Sequence, residues 1–559
     1  MNKQSMMPAP ALLAVFLMIL TGGLARAQDP EETTAQGATS GPSAPEETDI
    51  VVPELVLEVE EIEVEQVRAV LPDEGELALG QVSIPLPGAD ELAIDDGAFA
   101  VPLPGSPAAA DAASIFSSGR LGAGSANHIV GELSLYKLGA DPRFRLRFAY
   151  EGLDGFQFRA PGTGYFSRSN VIDGWFAASG QRVDLDAEAA FRENAFGLQG
   201  ESDSFSSGLR RTSAAAQAVF TPEPLISLTG MFDGSVGSRI LSTANGRDAT
   251  GELEIAATPA AEARFTISAV DIVFESSYFI RALVSENVPV QQNVDLTGGV
   301  DVELPASMTL GARAGIFWEP GVPLDYPWRV SLGMLFGDAF EASLEGGYRV
   351  QRITMEGIWD RIPLAGVSSG EAVSELANDR QWYAALDTRW SGASGLSLTG
   401  EVDFAAHDAA VDIAAYDTFA EEFPLVQDPM LTLESGVRAS WRPGQRMQVQ
   451  AGWSGSFLDT PVGIPTSSIE GSLRVNDASE RFTGVVEARS EFYPQVAMPW
   501  LGITGSFAPS DELEFSLELA DVLAPILENG RGTLGPVPTD DHPFVQPGFR
   551  ASVYTRISL

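Results

Sequence analysis

Residues 381–404 read QWYAALDTRWSGASGLSLTGEVDF, and this stretch decides the fold. In its first half the apolar residues Trp382, Leu386 and Trp390 share one parity, while the charged Asp387 has the other. A short turn rich in Gly and Ser follows, and the second half alternates in the same way. Because successive side chains of a β-strand point to opposite faces, the stretch predicts a hairpin with one apolar and one charged face.

The same alternation continues from His128 to Leu559, in roughly 21 segments of strand length. Aromatic residues lie at the ends of the apolar stripes, and short turns alternate with long polar loops such as 408–428 and 524–546. These features are typical of a membrane barrel and not of a soluble sandwich. The sequence therefore predicts an all-β, transmembrane, antiparallel up-and-down β-barrel of about 18–22 strands, with an even number of strands.

Charged residues fill the second face of the predicted strands, which suits a water-filled lumen better than a second packed sheet. The residues predicted to face this lumen are Arg145, Arg147, Asp184, Asp186, Glu188, Glu401, Asp403, Glu434, Arg438, Glu470 and Arg474.

The N-terminus carries the pattern of a secretory signal over residues 1–27. Lys3 precedes an apolar core at 11–20, and the residues 25–27, Ala-Arg-Ala, fit the small-x-small cleavage pattern. The apolar core is too short to span a bilayer as a stop-transfer helix. We therefore expect export and removal of this segment.

Four further segments are predicted from the shifts in composition. Residues 28–50 are expected to form a disordered acidic linker, since Glu, Thr, Ser, Pro and Gly dominate them. Residues 51–105 are expected to form an extended, acidic and Pro-rich arm in the periplasm or the lumen. Residues 106–127 are predicted to be a linker of small residues, and 128–559 the barrel.

The overall composition excludes several classes of function. Asp and Glu number 77 against 34 Lys and Arg, giving a net charge of −43, which argues against binding nucleic acid. The chain has no cysteine, so thiolate metal sites and thiol nucleophiles are excluded. Its three histidines, His128, His407 and His542, match no catalytic pattern. We expect neither an enzyme, nor a cofactor, nor a metal site.

The last sixty residues or so resemble the end of a TonB-dependent receptor. Residues 501–507 and 513–519 alternate as strands, and Pro547 and Gly548 follow a Gly-rich loop. The resemblance implies that the closing strand is recognised by the barrel-assembly machinery of the outer membrane. The residues on the apolar face of that strand are Phe549, Val553, Ile557 and Leu559.

A second likeness lies in the arm, where Glu60, Glu61, Ile62, Glu63 and Val64 are similar to the TonB box of the same family. Such a box adds to the sheet edge of a TonB-type periplasmic protein. An ordinary acidic extension in the periplasm is the alternative. The segment 28–127 is short, and too rich in Pro, Ala, Gly and Ser, for the family's full plug domain, so the resemblance covers the barrel.

The function that follows is a TonB-dependent receptor-like transporter or channel for an unknown small solute, in the cell outer membrane of a diderm bacterium. Its expected partners are outer-membrane lipid, the barrel-assembly machinery and a TonB-type periplasmic protein. Two alternatives stay open: a structural or interaction barrel that anchors the acidic arm, and a passive porin.

Overall fold

A computed structural model gives the structure of most of the chain after residue 114. The described residues are 115–137, 141–155, 159–200, 204–243, 248–284, 290–305, 307–337, 339–361, 364–366, 376–392, 395–413, 423–460, 464–479, 481–493, 497–524 and 548–559. No helix in these ranges is long and apolar enough to cross a membrane.

Nearly all of the described chain is β-strand. The strands are β1 (Phe116–Gly124), β2 (Ile129–Lys137), β3 (Arg143–Asp154), β4 (Phe166–Ser179), β5 (Val183–Gly197), β6 (Ser206–Glu223), β7 (Ile226–Ser242), β8 (Asp248–Ile267), β9 (Val270–Val284), β10 (Gln291–Leu304), β11 (Met308–Trp318), β12 (Trp328–Phe336), β13 (Phe340–Gln351), β14 (Ala365–Gly366), β15 (Asp379–Ser391), β16 (Leu396–Ile413), β17 (Phe423–Gly444), β18 (Met447–Ser456), β19 (Ser467–Asn476), β20 (Phe482–Phe492), β21 (Ala497–Ser510), β22 (Leu513–Ala520) and β23 (Arg550–Ser558). One short helix, α1 (Met355–Arg361), lies between β13 and β14.

Twenty-two of these strands form a closed antiparallel barrel. Each pairs with its neighbours in the chain, β13 pairs directly with β15, and β1 pairs with β23 to complete the ring. The two-residue strand β14 stands apart from the ring, because it pairs in parallel with β17. The predicted all-β barrel with an even number of strands is confirmed.

The hairpin at 381–404 forms as its pattern predicts. Leu386 lies opposite Val402 on the apolar face, and Asp387 lies opposite Glu401 on the charged face. The apolar side chains of this face are exposed, with 55 % of Trp382 accessible. They form part of the outer surface of the barrel.

The two ends of the barrel differ in the length of their connections. At one end, here called the turn end, strands are joined by short turns, such as the two residues between β6 and β7. The longer connections, between β13 and β15 and between β22 and β23, lie at the other end, here called the loop end. The start of β1 and the end of β23 meet at the turn end, where the Ser117 amide donates to the Leu559 carbonyl at 2.9 Å.

Two expected boundaries differ from the structure. The barrel begins at Phe116, so the expected linker at 106–127 ends too late and the barrel starts before His128. The Gly- and Ser-rich sequence of β1 is held as a strand because β2 and β23 pair with its backbone from both sides. The predicted loop at 408–428 is also shorter, since β16 runs to Ile413 and β17 starts at Phe423.

Four predicted features lie outside the described residues. They are the signal segment 1–27, the linker 28–50, the arm 51–105 and the TonB-box-like residues 60–64.

Candidate functional site

The connection between β13 and β15 folds into the barrel at the loop end. This connection, here called the inner segment, comprises residues 352–378, of which 352–361, 364–366 and 376–378 are described. It carries α1 and β14. Its contacts reach β5 to β10 on one wall and β16 and β17 on another, so it crosses the interior of the ring.

Helix α1 forms because its short sequence combines a cap with helical spacing. The backbone amide of Gly357 donates to the Thr354 hydroxyl at 3.2 Å, which satisfies an amide at the start of the helix. Met355, Ile358 and Trp359 follow at the i, i+3, i+4 spacing of one helix face. All three side chains are almost completely buried.

This helix face completes an apolar core at the mouth of the barrel. Trp359 is fully buried, and its indole N–H donates to the Ala365 carbonyl at 3.0 Å. Burying a side chain of this size stabilises the seated segment by about 2–3 kcal/mol. The residues of the core are Leu198, Leu241, Leu283, Met355, Ile358, Trp359, Leu364, Ala365, Leu376, Val411, Phe423 and Leu425.

A buried carboxylate on β8 holds the start of α1. Glu254 is 1 % exposed, and its two oxygens accept the backbone amides of Met355 and Glu356, both at 2.8 Å. Arg281 on β9 lies 3.9 Å from the same carboxylate and balances its charge. A carboxylate with two amide donors and a nearby cation is well satisfied without water.

Arginines of the wall hold the carbonyl groups of the inner segment. Arg281 donates to the Ile353 carbonyl and, at 3.3 Å, to the Leu376 carbonyl, so it binds both ends of the segment. Arg239 on β7 donates to the Leu364 carbonyl at 3.3 Å. Irregular backbone lacks its own ladder of hydrogen bonds, and these guanidiniums supply the missing donors.

The inner segment also extends an arginine to the wall. The guanidinium of Arg352 donates to the Asn293 side chain at 2.9 Å and to the Ser277 hydroxyl at 2.7 Å. It also lies over the ring of Phe279, 5.3 Å from its centroid. Burial lowers the pKa of Arg352, and nearby Asp295 acts in the opposite direction.

Residues of β17, on the opposite wall, form hydrogen bonds with the backbone of the inner segment. The Phe423 amide donates to the Leu364 carbonyl at 2.9 Å, next to the parallel pairing of β14 with β17. The side-chain amide of Gln427 both accepts from and donates to the backbone of Ala377, at 2.9 Å each way. The inner segment is therefore fastened to two separate walls and narrows the mouth of the barrel.

The face of the wall that meets the inner segment can be followed from strand to strand, because directly opposed residues share a face. Arg211 on β6 forms an ion pair with Glu356 of the segment. Arg211 lies opposite Arg192 on β5, and Arg192 opposite Val171 on β4. Val171 in turn lies opposite Ala149 on β3.

Through this register, the predicted lumen residues of β3 and β5 share the inner face. These are Arg145, Arg147, Asp184, Asp186 and Glu188. Two of them make ion pairs, since Arg145 and Arg147 donate to Asp173 at 3.2 and 2.7 Å.

The remaining residues predicted to face the lumen lie on the other face of their strands from the exposed apolar side chains of β16 and its neighbours. Asp403 pairs in register with Glu434, and Thr399 pairs with Arg438. Arg438 donates to Glu470 at 3.2 Å, and Glu401 shares the face of Asp403. Arg474 shares the face of Glu470 on β19. These residues line the wall over many strands and do not converge on one point.

The residues predicted for the closing strand share one face of β23 and its end. Phe549, Val553, Ile557 and Leu559 are all exposed. They alternate with Ser552 and Tyr554, which are buried on the other face.

The buried face of β23 includes a serine, histidine and glutamate in contact. Nδ1 of His128 lies 2.7 Å from the Ser552 hydroxyl oxygen. Nε2 of the same ring lies 2.9 Å from a carboxylate oxygen of Glu151. A nucleophile must reach a substrate, but His128 and Ser552 are each only 1 % exposed. The trio fastens the last strand to the first ones, together with Arg550, which donates to Glu151 at 3.3 Å.

Of the other two histidines, His407 likewise lies between a carboxylate and a hydroxyl group, and its contacts join β15, β16 and β17. His407 lies 2.6 Å from Asp379 and 3.1 Å from the Thr432 hydroxyl, and His542 lies outside the described residues. No group of three or more His, Cys, Asp or Glu side chains suited to a metal ion occurs among the residues of known position.

Comparison with known proteins gives structural likeness without sequence likeness. No family model and no curated protein matches the chain. Among solved structures, the ferric enterobactin receptor PfeA of Pseudomonas aeruginosa aligns with a TM-score of 0.56 and 10 % identity, over 80 % of this chain and 81 % of that one. The FrpB iron transporter of Neisseria meningitidis aligns at 0.59 and 9 %, over 80 % and 83 %. The copper transporter OprC aligns at 0.59 and 9 %, over 80 % of each chain.

The chain has the barrel fold of the TonB-dependent receptors. The resemblance inferred from the C-terminal strands thus extends to the whole barrel. The structural neighbours are receptors and transporters, not enzymes.

Sequence reasoning missed the inner segment. Its one local signal is the helical spacing of Met355, Ile358 and Trp359 directly after Thr354, in a chain that otherwise alternates with period two. Seven residues of helix are too few to predict by periodicity alone.

Replacing Glu254 should release the inner segment. In Glu254→Ala the amides of Met355 and Glu356 and the guanidinium of Arg281 lose their acceptor, at a cost of about 1–3 kcal/mol for each buried group. Trypsin should then cleave at Arg352 and Arg361 at least tenfold faster than in the parent, while the barrel stays folded by heat-modifiable gel mobility.

The matched control is Glu262→Ala, on the same strand and the same face. Glu262 accepts from Arg264 and lies toward the turn end of β8, away from the inner segment. Equal cleavage rates in the two variants would contradict the role assigned to Glu254.

Proposed function

We propose that this chain is an outer-membrane barrel that passes a small solute through a mouth narrowed by its inner segment. The observation that carries this proposal is the fastening of that segment to two walls of a closed ring with a charged inner face. A structural anchor needs no such narrowing, whereas a selective passage does.

Location in a membrane is supported by the outer face of the ring. Apolar side chains are exposed there on strand after strand, for example Leu398, Val402 and Phe404 on β16. A water-exposed apolar surface of this extent would drive aggregation, and hydrocarbon is the solvent that suits it. The structural neighbours are named as receptors and transporters for iron and copper. This supports the outer membrane of a diderm bacterium as the location.

The class of solute is inferred from the same neighbours. These neighbours are named for ferric enterobactin, iron and copper. We infer a small solute or metal chelate for this chain, carried past side chains of both charges such as Arg147 and Glu188.

A TonB-type periplasmic protein is the proposed energising partner. Glu60, Glu61, Ile62, Glu63 and Val64 supply an extended, alternating stretch that can add to a sheet edge. The barrel-assembly machinery is the proposed partner of the closing strand, through Phe549 to Leu559.

A passive porin is the second candidate. The inner segment favours a porin, because it is a connection between two strands of the barrel itself. The mouth is therefore narrowed without a separate domain. The two candidates differ in whether uptake needs a periplasmic partner.

Arginine placed on the outer face should damage membrane insertion. Leu398 points outward and its neighbour Thr399 inward, so Leu398→Arg puts a charge into hydrocarbon at a cost of ~2–4 kcal/mol near the midplane. Thr399→Arg, the matched control, places the same charge beside Arg438 on the inner face. We expect a much weaker folded band for Leu398→Arg in heat-modifiable gels of outer membranes. Equal yields of folded barrel would argue against a membrane location.

The conductance of the purified chain in planar bilayers tests the passage itself. The parent should give a small, steady conductance, and Glu254→Ala a larger one because the inner segment leaves the mouth. Glu262→Ala should resemble the parent. If neither the parent nor either variant conducts, the result would favour a structural anchor over any transport function.

Proline at Ile62 distinguishes energised uptake from passive flow. Ile62→Pro removes a backbone donor and blocks strand addition, while the barrel is untouched. Solute uptake by whole cells should fall and the single-channel conductance should stay the same. Unchanged uptake and unchanged cross-linking to periplasmic proteins would support the porin.

A further inference from the structure

Two arginines lie on the outer face of the barrel, near its loop end. Arg168 on β4 lies directly opposite Ala195 on β5, and Ala195 lies opposite Gly208 on β6. Arg210 follows two positions after Gly208 on the same face of β6. Arg168 and Arg210, here called the outer arginine pair, lie on strands separated by β5, ~12 Å apart at their Cα atoms.

The direction of both side chains follows from their neighbours in the chain. Arg211, next to Arg210, forms an ion pair with Glu356 of the inner segment and so points into the lumen. Val171 shares the inner face of the wall, and Arg168 has the opposite parity on β4. Successive side chains of a strand alternate between its faces, so both arginines point away from the lumen.

The outer face on the turn-end side of the pair is apolar. Two rows of directly opposed residues cross it from β3 to β8. The row nearer the pair consists of Phe148, Ile172, Phe191, Thr212, Val236 and Ile255. The next row consists of Leu146, Gly174, Ala189, Ala214, Gly234 and Ala257. Neither row carries a charge.

The height of this apolar surface places the pair at the edge of the hydrocarbon layer. On β5 the outward residues from Val183 to Phe191 are all apolar. At ~3.3 Å per residue and a tilt of ~40°, they cover ~20 Å along the membrane normal, close to the ~25 Å band of a membrane barrel. The next outward residue of β5 is Glu193, which lies directly opposite Arg210. Because the longer connections of such barrels are extracellular, this edge faces the headgroups of the outer leaflet.

The polar residues at this edge carry a net positive charge. Nε of Arg210 donates to Glu193 at 2.8 Å, and the side-chain amide of Asn170 donates to the same carboxylate at 3.2 Å. The side chain of Arg210 is still 49 % exposed. Arg168 is also exposed, and its guanidinium forms no hydrogen bond or ion pair with a described residue. Two guanidiniums therefore face one carboxylate, which leaves room for an anionic partner.

We propose that the outer arginine pair binds the phosphate groups of a lipid of the outer leaflet, whose acyl chains lie on the apolar rows. Guanidinium groups bind phosphate oxygens in a bidentate manner. The small residues Ala195 and Gly208 leave a recess for the headgroup between the two arginines. This inference rests on the membrane location proposed above and is independent of transport.

Native mass spectrometry of the purified, folded, full-length chain in detergent measures the binding. The probes are diphosphorylated lipid A and the same glycolipid without its phosphates. The test variant combines Arg168→Ala with Arg210→Ala. The matched control combines Arg182→Ala with Arg446→Ala, which removes two exposed arginines from turns at the turn end. Heat-modifiable gel mobility reports the folding of each protein.

The parent and the matched control should bind the phosphorylated lipid with the same dissociation constant. In the test variant this constant should rise roughly thirtyfold, because each arginine near an anionic headgroup contributes a factor of about five to six. The lipid without phosphates should bind the parent and the test variant equally weakly. A large excess of inorganic phosphate should not displace the phosphorylated lipid, since the free anion lacks the contacts of the acyl chains.

Equal dissociation constants in the test variant and the matched control would overturn the proposal. Equal binding of both lipids to the parent would overturn it as well, and this comparison needs no variant. Displacement by inorganic phosphate would show a site for the free anion and not for a lipid. None of these results changes the expected difference between Leu398→Arg and Thr399→Arg, so a failure here is distinct from a failure of the proposed membrane location.

Discussion

The pairing of β1 with β23 is the constraint on which the rest of the structure depends. A sheet of this length has two edges unless it closes, and each edge would present a row of unpaired N–H and C=O groups. Closure satisfies both rows at once, and it is the only arrangement of strands that can face hydrocarbon on its outer side. Because every strand of the ring has two neighbours, the outer face can be apolar and the inner face charged without leaving backbone groups unpaired.

Much of this architecture could be predicted from the sequence, because alternation is a local property that survives any tertiary context. The hairpin of Leu386 with Val402 and of Asp387 with Glu401 needs only the period of two and the position of the turn. Strand β1 was harder to predict. Its residues 116–124 are mostly small and carry little alternation, and they become a strand through the backbone partners that β2 and β23 supply from far away in the chain.

The inner segment could not be predicted for a related reason. Glu254, Arg281 and Arg239 look like lumen charges in the sequence, since they lie on the alternating polar face of long strands. What distinguishes them is that they meet backbone groups of residues 353–376, about a hundred positions away. A single sequence does not reveal which charged side chains of the inner face are solvated and which bind the inner segment. Alternation predicts that the five residues named on β3 and β5 share one face, but it does not reveal which of them form ion pairs, as Arg145 and Arg147 do with Asp173.

The position of the inner segment in the chain has a consequence for the order in which the molecule can be assembled. One of its two walls, β5 to β10, is synthesised before it, and the other, β16 and β17, after it. The contacts of the inner segment can therefore all form only after the chain has passed Gln427. From then on, the segment joins two sets of strands that are not neighbours in the ring. The seam between His128 and Ser552 joins residues 424 positions apart, so it needs both ends of the chain. An inner segment that is seated before this seam forms holds the open sheet in a curve, which lowers the entropy cost of closing the ring.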